Sequence, residues 1–147
     1  MYSITTTDWQ AHSHELAGIR TQVFIEEQQV PVADEWDNLD ETAIHFLVLQ
    51  HNQPIGCARL LIDEHKGLQH FHIGRVAVLK PYRTQGIGQA LMEFVVGFCN
   101  AQANHPIYLH AQTDRKGFYE RLGFIAQGDV FLDAGIPHIT MYWQIAE

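Results

Sequence analysis

Apolar and polar residues along this chain alternate with two different periods, and the changes from one period to the other mark its elements. Tyr2 to Thr6 suits a short first strand. Asp8 stands where a helix N-cap belongs, ahead of Leu16, Ile19 and Val23, whose spacings of three and four put them on one helical face. The stretch EEQQVPVADEWDNLDET that follows is acidic, carries Pro31 and keeps neither period. A long loop or broken helix is expected there, and such loops are usually functional. Ile44 to Gln50, Pro54 to Ile62 and Leu68 to Val78 suit strands, and their short links, Asn52 to Pro54 and Asp63 to Gly67, favour an antiparallel meander. Ile87, Leu91, Phe94, Val95 and Phe98 then trace a helical face that ends near Asn100 to Asn104. Ile107 to Gln112 suits a fifth strand, DRKGFYERLGF a short helix closed by Gly123, and Val130 to Leu132 and His138 to Gln144 the last strands.

This order predicts an α+β fold with a mixed, mostly antiparallel central sheet flanked by helices. The crossover over residues 76 to 112 should be right-handed, with its two strands parallel. No repeat or linker divides the chain, so residues 1–147 are expected to form one domain with one active centre. A content of 46% hydrophobic and 18% charged residues is that of a globular protein. The formal charge of -8 disfavours nonspecific binding to nucleic acid or anionic membranes and tilts toward a cationic partner. Cys57 and Cys99 make no disulfide framework, and there is no basic leader or long apolar run, so the cytoplasm is the expected location. The last strand could be interior or could pair across a homodimer interface.

The candidate chemistry starts at PYRTQGIGQAL, residues 81 to 91, where a strand passes through a glycine-spaced loop into a helix. That arrangement points backbone N–H groups and a helix dipole at one place, which suits phosphate. Gly86 and Gly88 would let an anion approach the backbone, Arg83 brings charge, and Thr84 and Gln85 bring donors. A Walker loop is excluded, since the lysine pattern is missing. The dinucleotide fingerprint fails as well, because Leu91 stands at its third glycine position.

IGRVAVLKPYRTQGIGQALMEFV resembles the coenzyme A signature of the GNAT superfamily of N-acetyltransferases, Arg/Gln-x-x-Gly-x-Gly/Ala, here Arg83, Gly86 and Gly88. HAQTDRKGFYERLGF resembles the second half of the same cofactor site, and the Glu-Gln-x-Val-Pro segment and GIPHITM resemble a bacterial subgroup of uncharacterised predicted acetyltransferases. The resemblance implies a three-layer GNAT-like fold. It implies acetyl-coenzyme A as co-substrate, with the pantetheine arm along the backbone of Val76, Ala77 and Val78. The pyrophosphate would rest on Arg83, Thr84, Gln85, Gly86, Ile87 and Gly88, and Gln112 and Tyr119 would border the cofactor. Lys116 and Arg121 are lesser candidates for the nucleotide phosphate. By the same resemblance, Tyr119 protonates the leaving sulfur and the backbone N–H of Val78 stabilises the oxyanion.

Direct acetyl transfer needs a neutral amine, yet a lysine-like amine is neutral in only about one molecule in 10³ at pH 7. A base or an acidic, desolvating pocket should therefore matter. Glu26, Glu27, Asp34, Glu35, Asp37 and Asp40 could supply it, with Glu26 and Glu27 favoured where the first helix breaks. The acceptor expected is a small cationic amine. His70 and His72 share a strand face but have no third partner at metal-ligand spacing, so no metal is expected. His110 and His138 are candidate relays or ordinary structural histidines, and the cysteines suit packed core thiols. Two alternatives stand beside the acetyltransferase. Arg20 to Phe24 with Asp37 to Asp40 also resembles the front half of acyl-homoserine-lactone synthases, and a coenzyme A binding module without catalysis would carry the same loop.

Overall fold

The computed structural model describes residues 1–144. Its strands are β1 (Tyr2–Thr7), β2 (Ile44–Gln50), β3 (Gln53–His65), β4 (Leu68–Val78), β5 (Ile107–Gln112), β6 (Phe124–Asp133) and β7 (Ile136–Trp143). They form one sheet in the order β1-β2-β3-β4-β5-β7-β6. Every neighbouring pair is antiparallel except β4 and β5, which are parallel. The expected mixed sheet is therefore observed. The last strand, β7, is interior, between β5 and β6.

Alternation assigns the two faces of the sheet. Phe46 and Val48 of β2 are buried with Leu91 and Val95 of helix α3 (Ile87–Gln102), whereas Leu47 between them is buried with Leu16 and Ile19 of helix α1 (Trp9–Arg20). Helices thus cover both faces and each buries an apolar stripe. Asp8 caps α1 as expected, its side chain accepting from the Ala11 N–H at 2.8 Å.

Of the two forms expected for the acidic stretch, the structure shows the broken helix: α1 continues as a π-helical segment, Thr21–Glu27, and after Pro31 the chain makes the short helix α2 (Val32–Glu35). One boundary differs from the sequence reading. Strand β6 begins at Phe124 rather than near Val130. Its register against β7 slips between Gln127 and Phe131, where Gly128 has φ +87, so a bulge interrupts the alternation that would have revealed its first half.

The feature that creates the site is a split in the sheet. Strands β4 and β5 pair only over Phe71–Ile73 against Ile107–Leu109, although β4 runs on to Val78 and β5 to Gln112. At the split, the register of β4 on β3 slips between Cys57 and Arg59, opposite Arg75, whose φ is +52. A non-glycine residue in the left-handed region is strained and marks a conformation the surroundings enforce.

Candidate active site

A cleft of ≈ 1010 Å³ opens at this split. On one wall are Val76, Ala77 and Val78 of β4, whose edge toward β5 has no strand partner. Beside them the loop of Arg83, Thr84, Gly86, Ile87 and Gly88 leads into α3, while the exposed Gln85 stays outside the lining. Gly86 has φ +80, and a Cβ built on it would meet nothing within 4 Å. It is the N-cap of α3 without a side-chain cap, so the first N–H groups of that helix have no acceptor of their own at the cleft. Gly88 lies against a neighbour: a Cβ there would touch the Phe118 ring at 3.4 Å, in van der Waals contact, so helix α4 (Lys116–Arg121) packs closely over the loop.

That approach brings Tyr119 to the cleft. Its ring packs edge-on against Phe118 and Phe124, and burial pushes the phenol up to about 12, so it holds its proton at neutral pH. Gln112 lines the cleft and donates to Gln28 Oε1 at 2.8 Å. Of the basic candidates, Arg121 lines the cleft and Lys116 does not.

Arg83 is tied down within the protein. Its Nε donates to the Val78 carbonyl at 2.8 Å, and its two terminal nitrogens grip Glu27 at 2.6 and 2.7 Å. The hydrogen bond from Arg83 holds the Glu27 carboxyl below its ordinary value, which makes it a poor proton acceptor in this arrangement. Glu26 is exposed, and neither residue lines the cleft.

Of the rest of the acidic segment, the exposed Asp34 lines the cleft without an ion pair among the described residues. The other three carboxylates are matched by arginines and do not make the negatively charged pocket expected of them. Glu35 Oε2 accepts from Arg20 Nε at 2.8 Å and Arg75 Nε at 2.9 Å. Asp37 is gripped by Arg59 at 2.8 and 2.9 Å and reached by Arg75 at 3.2 Å. Asp40 Oδ1 accepts from Arg20 at 2.5 Å and Arg59 at 3.1 Å. The cluster is charge-balanced, three carboxylates against three guanidiniums, and it fastens the segment around α2 to β3 and to the strained turn at Arg75. Arginines 15 to 40 residues away in sequence supply the counter-charge, which no local pattern reveals.

Opposite lies a wall of histidine and aromatic rings. His72 Nδ1 is 2.9 Å from Asp63 Oδ2, and the Tyr108 hydroxyl donates to the same carboxylate at 2.9 and 3.0 Å. Tyr108 stacks on His72 at 4.3 Å, and the His110 ring meets His72 edge-on at 5.1 Å. Asp63, His72, His110 and His138 line the cleft. His110 is pushed down to about 4 by partial burial and by its histidine neighbours. His138 turns Nδ1 toward the Ile136 carbonyl, and His70 turns its own toward that of Leu68. Among the described residues no three His, Cys, Asp or Glu side chains are placed to hold a metal. Both cysteines are buried and outside the cleft, and burial raises each thiol to about 12.

The pairing of Asp63 with His72 was missed in the sequence, although a signal for it exists. A hairpin turning at Lys66-Gly67 puts Asp63 opposite His70, and His72, two residues further on, shares that face.

A sheet split beside a glycine-spaced helix start, with a tyrosine brought in from the following helix, makes a cleft with the shape and donors to take a long phosphorylated thioester. Comparison with known proteins agrees. Residues 10–145 match the acetyltransferase (GNAT) domain family, and the chain belongs to it. An acyl-CoA N-acyltransferase structure from Pseudomonas aeruginosa shares 32% identity at TM-score 0.86, covering 98% of this chain and 100% of that one. The crystal structure of Escherichia coli ElaA gives 30% and 0.87 at the same coverage. The uncharacterized N-acetyltransferase YjcF of Bacillus subtilis is 32% identical over 84% of this chain and 86% of its own. The fold is thus the three-layer GNAT fold, and the family transfers acyl groups from coenzyme A donors.

Proposed function

We propose that this chain forms one catalytic domain that moves the acetyl group of acetyl-coenzyme A directly to the primary amine of a small acceptor. The observation that carries this reading is the meeting of three elements at one cleft: the open β4 edge at Val76–Val78, the Arg83–Gly88 loop and Tyr119. The pantetheine arm adds along the β4 edge as a strand would, and the pyrophosphate takes the N–H groups at the start of α3. Gln112 borders the cofactor from β5. The Val78 N–H stabilises the oxyanion, and Tyr119, already protonated, donates to the departing sulfur.

A cationic acceptor is supported by Asp63 and Asp133, which line the cleft without an arginine or lysine partner among the described residues. Cytoplasmic action is in keeping with the two free, buried thiols. No helix among the described residues is long and apolar enough to cross a membrane.

The test is thermal unfolding with acetyl-coenzyme A, using NADH and ATP as controls. A ligand at 100 times its Kd stabilises by about 2.7 kcal/mol, or roughly 5 to 10 °C for a domain of this size. The shift should be confined to acetyl-coenzyme A and lost in Gly86→Asp. Coenzyme A release with a panel of amines then separates an enzyme from a binding module, which would show the shift and no turnover. The absence of any shift would sink the proposal.

A further inference from the structure

The acetyltransferase reading leaves the fate of the amine proton open, because Glu27 is gripped by Arg83 and Glu26 stands outside the cleft. Another group in the cleft is built for it. His72 is held between two fixed partners, Asp63 at Nδ1 and the Tyr108 ring stacked at 4.3 Å. A carboxylate at Nδ1 holds the ring proton on that nitrogen and leaves Nε2 with its lone pair. The Tyr108 hydroxyl donates to the same carboxylate and so fixes Asp63 in turn.

The position is also suitable. His72 stands one residue before the last β4–β5 pair, Ile73 with Leu109, and so beside the point where the strands part. Between His72 and Val76 the strand carries Gly74, also in the cleft lining, where an added Cβ would meet nothing within 4 Å. Space is therefore open along β4 from the imidazole toward the strand edge that takes the thioester.

We propose that His72, oriented by Asp63, is the catalytic base that takes the proton of the acceptor amine at Nε2. This rests on the acetyltransferase reading and completes it. The amine nitrogen forms its bond to the thioester carbon, and the carbonyl pair moves to oxygen. Return of that pair breaks the C–S bond. The N–H proton goes to His72 Nε2, the sulfur takes the Tyr119 proton, and amide and free thiol result. His72 then loses its proton to solvent and Tyr119 regains one. Burial lowers the affinity of His72 for a proton while the Asp63 bond restores part of it, so the ring is neutral and able to accept at pH 7. The same Asp63 bond stabilises the imidazolium as it forms.

Hydroxylamine serves as the probe nucleophile, with coenzyme A release from acetyl-coenzyme A as the rate. His72→Ala should lower it about a hundredfold or more, and added imidazole should restore part of the loss, as a packing role for the ring would not allow. Asp63→Asn should lower it less, and Gly74→Val should raise KM by filling the passage. All three should keep the thermal shift with acetyl-coenzyme A. A His72→Ala rate within twofold of the parent, or no recovery with imidazole, overturns the base assignment, whereas a parent that shows the thermal shift yet releases nothing to hydroxylamine or to the amine panel is a binding module and overturns the acetyltransferase reading instead. Absence of the thermal shift in the parent overturns the acetyltransferase reading beneath it.

Discussion

Arg20→Met probes the buried charge cluster directly. The guanidinium is 1% exposed and makes three hydrogen bonds, two to Glu35 and one to Asp40. Methionine keeps an apolar stem between Trp9 and Trp36, whose rings lie 5.7 and 4.9 Å from the guanidinium carbon. What is lost is therefore charge and hydrogen bonding. Breaking a buried pair by removing one partner costs about 3–5 kcal/mol. Here Glu35 retains Arg75 and Asp40 retains Arg59, so the cost belongs at the lower end, about 3 kcal/mol. With an unfolding entropy near 2.1 cal/mol/K per residue, that lowers Tm by roughly 10 °C. Denaturant titration followed by tryptophan fluorescence, with Trp36 beside the altered site, measures the loss. Adding Glu35→Gln to Arg20→Met restores neutrality, and the new amide oxygen can still accept from Arg75, so the double variant should be more stable than Arg20→Met alone. A single variant within 1 kcal/mol of the parent, or a double variant less stable than the single, would refute the account of the cluster as one balanced unit.

Two more outcomes follow from named groups. Burial would raise the Asp37 carboxyl, but the hydrogen bonds and charge of Arg59, with Arg75, prevail and hold it at about 2. Since the folded value lies below the unfolded one, the stabilisation is complete above about pH 4 and disappears as pH falls toward 2. About 2 kcal/mol should be lost in acid titrations of stability and be missing from Asp37→Asn. Tyr119→Phe should slow coenzyme A release about a hundredfold at saturating substrate while leaving the acetyl-coenzyme A thermal shift in place; loss of the shift instead would make the ring a binding surface and not an acid.

Where local pattern decides structure, the sequence was a good guide. Strands β2, β4 and β5 begin and end where alternation meets turn residues, and Asp8 caps α1 because an N-cap is a short-range interaction. The glycine-spaced helix start was legible for the same reason, its glycines being contiguous with the helix they open. The acidic segment misled, since its charges are visible locally while Arg59 and Arg75 arrive by tertiary packing from strands that follow it. The first half of β6 was hidden by the bulge at Gly128, which breaks the period on which a strand is recognised. The bond from His72 to Asp63 depends on hairpin register, a property of two strands together that inspection of either alone does not show.

The balanced cluster also changes what the molecule presents to solvent. It takes Arg20 and Arg59 into the interior with Glu35 and Asp40 and ties the half-buried Arg75 to Asp37, so the formal excess of -8 is carried by the groups left outside this neutral unit. Mobile ions screen exposed charges over about 10 Å at 0.1 M salt and reach buried pairs far less. Added salt therefore acts here mainly on repulsion between outer carboxylates, and a protein held together inside by ion pairs should become more stable, not less, as ionic strength rises from low values.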